Sequence, residues 1–156
     1  MNTSSILAVL AFLLQLGVGS SLSAHRPRRT KRTILQMCEL IQRYTNRGCL
    51  DYNDYGCFCG WGNAGSGRKH LDDVDACCLL HDNCYGEVTC MWFYPQLVGF
   101  SIQCGDDNSC QCQDSRVWSP CARSVCECDL RFAECLGRAT YHEHHRSYDW
   151  HLCHHH

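Results

Sequence analysis

The chain has 156 residues, with 14 Lys and Arg, 16 Asp and Glu, 10 His and 16 Cys, and a formal charge of −2 with histidines neutral. No basic excess suits nucleic acid, so a nucleic-acid partner is excluded. Sixteen cysteines read as a disulfide framework of up to eight bridges, which places the chain in an oxidising, extracellular setting and excludes the reduced cytosol.

Residues 6–18, ILAVLAFLLQLGV, form an apolar run too short to span a bilayer comfortably, and the small residues GSSLSA follow it. This predicts a secretory signal peptide over residues 1–24, cleaved between 20 and 24. The next segment, HRPRRTKR (25–32), ends in the Arg-x-Lys-Arg form that a basic-residue proprotein convertase cuts. A solvated basic linker is the plainer reading, and the position directly after a signal peptide favours a propeptide. The working domain is then 33–156. All sixteen cysteines lie in it, and nine Lys and Arg stand against sixteen Asp and Glu, a formal charge of −7. That disfavours strong attraction to anionic lipid and suits uptake of a cation. No further apolar run is long enough for a transmembrane segment.

Apolar side chains at Ile34, Met37, Cys38, Ile41 and Tyr44 predict a helix over 34–45, with Asn46-Arg47-Gly48 as its stop. The stretch 52–70, YNDYGCFCGWGNAGSGRKH, is a glycine-rich loop. Asp72 and Asp73 start a second helix that carries CCLLHDNCY (77–85). Phe100, Ile102 and Cys104 alternate with Ser101 and Gln103, GDDN turns the chain, and SCQCQ alternates again, which predicts a short exposed hairpin. A long helix begins near Ser119 with Pro120 in its first turn and Gly137 marking its end. The tail, YHEHHRSYDWHLCHHH, reads as irregular. The expected fold is mainly α and disulfide-rich: an N-terminal helix, a loop, two long antiparallel helices stapled by disulfides, and a short β-hairpin.

The cysteine spacing bears on a titratable pair. At about 100° per residue, Cys77, His81 and Cys84 lie within about 60° of one another. Cys121, Val125, Cys128, Phe132 and Cys135 share a face of the last helix. Bridges Cys77–Cys135 and Cys84–Cys128 would lock the two helices at two-turn intervals, with His81 between them and Asp129 on the flank of the seam. A carboxylate on one imidazole nitrogen leaves the other free to accept a proton. A satisfied core histidine is the structural alternative, and spacing alone does not separate the two. Asp82 points about 100° away from His81, toward the glycine-rich loop, which Cys59 and Cys78 could pin nearby. A carboxylate with loop carbonyls makes an oxygen site for a hard cation such as Ca2+. Zinc held by Cys and His is the competing metal, disfavoured by an oxidising compartment and an even cysteine count.

YGCFCGWG (55–62), DACCLLHDNCY (75–85) and CECD (126–129) together resemble the secreted phospholipase A2 family, most nearly its small, Ca2+-dependent pancreatic and venom-like type. The resemblance covers nearly all of 33–156. It implies hydrolysis of the sn-2 ester of glycerophospholipids at an interface, releasing fatty acid and lysophospholipid. It implies His81 as general base, Asp129 as its support, and Tyr85 as a hydroxyl on that aspartate. One Ca2+ per domain would be held by Asp82 and the carbonyls of Phe58, Gly60 and Gly62, with the Gly60 N–H helping at the oxyanion. It also implies bridged cysteines at Cys57, Cys153, Cys59, Cys78, Cys77, Cys135, Cys84, Cys128, Cys90 and Cys121, and a first helix whose free ammonium orders the interface surface. Cys38, Cys49, Cys104, Cys110 and Cys112 are left without assigned partners. Departures are a loop lengthened by about three positions after Gly62, relative to the pancreatic type in that resemblance, and Phe100 where the family often has a second tyrosine. Non-enzyme members that keep the fold lose the histidine or the aspartate; this chain keeps both, and a catalytically silent binding protein is the alternative.

A peripheral phospholipid interface is the expected partner, zwitterionic by preference because the charge of −7 offers no attraction to anionic lipid. Ile34, Leu35 and Trp61 are the candidate contacts. The tail histidines, His142, His144, His145, His151 and His154 to His156, have the chemistry of Cu2+ or Zn2+ ligands but read as solvated surface, and the last three also fit an appended tag.

Overall fold

The computed structural model describes residues 33–60, 69–91, 94–107 and 109–155. The expected signal peptide and propeptide (1–32), Trp61 and Gly62 lie outside the described residues. The main elements are helix α1 (Thr33–Thr45), helix α2 (Asp73–Glu87), strands β1 (Ile102–Cys104) and β2 (Cys110–Cys112), and helix α3 (Pro120–Arg138).

Helix α1 buries Leu40 and Ile41 and leaves Ile34 and Leu35 exposed. It ends where Asn46 turns left-handed (φ 57°), with the Asn46 N–H on the Gln42 carbonyl at 3.0 Å. Asn46 is thus the residue of the stop signal that turns the chain, while Gly48 keeps an ordinary φ of −70°. Helix α2 starts at an Asp72 cap whose carboxylate accepts the Asp75 N–H at 2.9 Å.

Helix α3 has Pro120 in its first turn and runs through Gly137 to Arg138. Gly137 lies inside the helix and is not the expected stop, since Ala139 caps the end. A Cβ at Gly137 would stand 2.9 Å from the Tyr44 carbonyl oxygen, so the glycine serves the close approach of α1 to α3, not termination.

Cys77–Cys135 and Cys84–Cys128, each with Cα atoms 5.8 Å apart, staple α2 antiparallel to α3. One core cluster groups Tyr52, Tyr55, Val74, Phe132 and Leu136; the other groups Leu40, Phe100, Val125 and Ala133 with the hairpin cysteines. The hairpin is antiparallel with Cys104 opposite Cys110, and those two cysteines are bonded. Cys38–Cys49 ties α1 to the turn that follows it, and Cys112–Cys126 ties the hairpin to α3. Cys59–Cys78 and Cys90–Cys121 complete the links between loops and helices.

Cys57–Cys153 closes the longest loop, 96 residues. In the chain-entropy picture such a bridge removes roughly 4–5 kcal/mol of unfolded-state freedom. It also explains why the tail is more ordered than its sequence suggests. The tail forms 3-10 turns at Glu143–His145 and Trp150–His155. The Gly56 N–H reaches the His145 carbonyl at 2.9 Å, and the Tyr148 N–H reaches the Asp54 carbonyl at 3.0 Å. Among the described residues no helix is long and apolar enough to cross a membrane.

Candidate active site

The two staples hold His81 of α2 against α3. Its Nε2 lies 2.9 Å from Asp129 Oδ1, and Asp129 is fully buried. One turn on, the Tyr85 hydroxyl donates to the same oxygen at 2.7 Å. The imidazole stacks on Phe132 with centroids 4.4 Å apart and planes at 15°. An ionised carboxylate only accepts, so Nε2 carries the proton and Nδ1 holds a lone pair. Nδ1 has no hydrogen-bond partner among the described residues. Burial, and then the Asp129 charge and hydrogen bond, push the Tyr85 hydroxyl far above its ordinary range, so it stays a donor.

The second carboxylate oxygen, Asp129 Oδ2, is buried with no partner among the described residues. Phe100, where a second hydroxyl is implied by the resemblance, is buried and offers only its backbone, held by the Gln36 side chain at 2.8 and 3.2 Å. Tyr85 is therefore the one described hydroxyl on Asp129. Tyr85→Phe is expected to cost about 1.5–3 kcal/mol of stability, the worth of a hydrogen bond to a buried charge. Denaturant unfolding measures it, and a cost within about 0.5 kcal/mol, the range of surface substitutions, would mean that the bond is unimportant.

The glycine-rich loop is placed by a residue that sequence reading passed over. Asp75, fully buried, accepts the N–H groups of Cys57 and Phe58 at 2.9 and 2.8 Å on Oδ1, and that of Leu71 at 2.9 Å on Oδ2. A signal existed, because Asp75, Cys78 and Asp82 fall within about 60° on one face of α2, the face toward the loop. Gly56 is required at its position. It has φ 61°, and a Cβ there would lie 2.5 Å from Asp75 Cγ. Gly60 also has a positive φ, 127°. Cys59–Cys78 pins the loop one turn before Asp82.

Phe58, Gly60, His81 and Asp82 all line one cavity of about 650 Å³. Asp82 is half-buried in it without a hydrogen bond among the described residues. Burial pushes its carboxyl above the ordinary range, offset in part by His81. A desolvated carboxylate lacking a donor is what a cation would compensate. Phe58 and Gly60 of the loop line the same cavity, and backbone carbonyls with a carboxylate are the hard-ligand type that Ca2+ takes. No three His, Cys, Asp or Glu side chains among the described residues gather at metal-ligand spacing. Every cysteine is bridged, so the competing zinc site has no thiolate to use.

Ile34 lines the same cavity and is 45% exposed; Leu35 is 49% exposed and is not among the lining residues. Three further exposed apolar residues line the cavity: Leu50, Tyr94 and Leu97. They sit in and beside short 3-10 turns, where no periodicity points to them. The structure thus brings together His81, Asp129, Tyr85, Asp82, Phe58, Gly60 and Ile34, and leaves Leu35 outside the lining. A family model described as Phospholipase A2 matches residues 34–146.

Proposed function

Because the chain belongs to the phospholipase A2 family, we propose that it hydrolyses the sn-2 ester of glycerophospholipids in a Ca2+-dependent reaction. The observation that carries this reading is His81, bonded to the buried Asp129 and lining one largely apolar cavity together with Asp82. His81 Nδ1 takes a proton from the water that attacks the ester carbonyl, and Asp129 stabilises the imidazolium through Nε2. The proton then passes to the leaving alkoxide, giving fatty acid and lysophospholipid. Asp82 and the carbonyls of Phe58, Gly60 and Gly62 would hold one Ca2+, which when bound supplies positive charge to polarise the ester and neutralise the phosphate. The Gly60 N–H is the proposed backbone donor to the oxyanion.

Phosphatidylcholine vesicles test the reading. The mature chain is expected to release fatty acid in millimolar Ca2+ and to stop when the ion is chelated. Intact vesicles with no release under either condition would leave a catalytically silent binding protein.

Secretion belongs to the same proposal, with residues 1–24 as signal peptide and 25–32 removed by a basic-residue convertase. Eight disulfides support an oxidising destination. Ile34, Leu50, Tyr94 and Leu97 around the cavity are the proposed interface contacts, with Leu35 and Trp61 extending them. A formal charge of −7 on residues 33–156 makes zwitterionic lipid the preferred surface. The pair Leu50→Ser and Leu97→Ser is expected to weaken binding to phosphatidylcholine vesicles about tenfold or more, from roughly 1–2 kcal/mol per leucine. Loss on a soluble short-chain substrate should be smaller. Equal losses on both would place these leucines in the substrate cavity alone.

A further inference from the structure

Phe132 meets the candidate base face to face. Its ring and the His81 imidazole have centroids 4.4 Å apart and planes 15° apart. The register of α2 and α3 makes this contact. His81 is four residues past Cys77 and three before Cys84, and Phe132 is four past Cys128 and three before Cys135. The bridges Cys77–Cys135 and Cys84–Cys128 therefore bring the two residues level across the seam. Phe132 also follows Asp129 by three positions, so both lie on one face of α3. At 7% exposure it belongs to the core cluster of Val74 and Leu136, which leaves its ring little room to turn.

The imidazole needs such a face, because its own torsion does not set its plane. The last side-chain torsion of a histidine is broad and roughly two-fold. The Asp129 bond at 2.9 Å holds Nε2 alone, and a hydrogen bond tolerates about 30° of bend. Tilt about that bond displaces Nδ1, the atom that must meet the attacking water. The Tyr85 ring has its centroid 4.4 Å from that of His81 but is inclined at 45°, so it does not cover the imidazole flat. Among the described residues, Phe132 is the one ring stacked on His81. Both residues line the cavity.

We propose that Phe132 is a positioning residue for the hydrolysis, fixing the plane of the His81 imidazole so that Nδ1 stays aimed at the attacking water. The inference rests on the hydrolytic reading above and assigns to position 132 a flat aromatic face, not apolar bulk alone. Asp129 determines which ring nitrogen carries the proton, and Phe132 determines where the other one points. One helix supplies both restraints, and the two staples hold that helix against the base.

Steady-state hydrolysis of a soluble short-chain phosphatidylcholine in excess Ca2+ tests the assignment. Phe132→Leu keeps apolar bulk and removes the flat face. It is expected to lower kcat about tenfold or more with KM within about threefold, because a small misplacement of a reacting group is costly while substrate binding is kept. Phe132→Tyr keeps the face and should hold kcat within about threefold of the parent. In the His81→Gln background, Phe132→Leu should change the residual rate by less than about twofold, since no base is left to orient. Thermal unfolding checks that each variant is folded at the assay temperature, and Phe132→Met takes the place of the leucine variant should that one not fold. With an active parent, unchanged kcat in Phe132→Leu, a change in KM alone, equal losses in the leucine and tyrosine variants, or the same loss in the His81→Gln background would each overturn the assignment alone. A parent that releases no fatty acid would overturn the hydrolytic reading and the assignment with it.

Discussion

Replacing His81 by Gln is expected to lower turnover by about 10²–10⁴-fold, the usual worth of a positioned general base, while folding and Ca2+ affinity stay close to those of the parent chain. The glutamine amide can still donate toward Asp129 Oδ1, so the buried carboxylate keeps a partner beside the Tyr85 hydroxyl. The helices on either side are held by Cys77–Cys135 and Cys84–Cys128, whatever occupies position 81. What the amide lacks is a basic nitrogen at the place of Nδ1. The measurement is hydrolysis of a soluble short-chain phospholipid, which keeps vesicle binding out of the comparison. Turnover near that of the parent would remove His81 from the base role.

The contact between His81 and Asp129 was legible because disulfide spacing encodes helix register. Two seven-residue intervals, 77 to 84 and 128 to 135, are each about two turns, and only an antiparallel pair satisfies both bridges with His81 on the seam. The start of α2 was equally legible, since Asp72 is a capping residue by type. Other features depend on contacts that no local pattern records. Cys104–Cys110 follows from the register of a hairpin whose strands are three residues each, too short to announce their pairing. Glycine near a helix end usually marks a stop, but the reason for Gly137 is the Tyr44 carbonyl, 93 positions earlier in the chain. Leu50, Tyr94 and Leu97 reach the cavity from irregular segments, where side-chain direction has no period. The order of the tail depends on Cys57–Cys153, a bridge across nearly the whole domain.

Asp82→Asn is expected to abolish Ca2+ binding and hydrolysis together, and yet not to destabilise the metal-free protein at neutral pH. The first half follows from charge. Asp82 is the sole side-chain anion in the proposed ligand set, and the rest are neutral carbonyls, so the amide leaves a hard divalent cation without its main attraction. The second half follows from the site itself. In the metal-free chain the carboxylate is half-buried, makes no hydrogen bond among the described residues, and is pushed above its ordinary range by burial. With a raised folded-state pKa, its contribution to stability is fully present below the unfolded-state value and is lost as pH rises through the folded one. At pH 7–8 the ionised group is therefore a burden in the metal-free fold, which an isosteric amide removes. With a chelator present, the variant should unfold at the same temperature as the parent or higher. The difference should shrink as pH falls through the Asp82 pKa and the parent's carboxyl becomes neutral. Adding Ca2+ should then stabilise the parent alone, because only an ion that binds the folded state shifts its unfolding. Thermal unfolding with and without Ca2+, together with a calorimetric titration, measures each part. Unchanged Ca2+ binding in the variant would place the ion elsewhere, and a large loss of stability in chelator would mean that Asp82 serves the fold through a contact other than the metal.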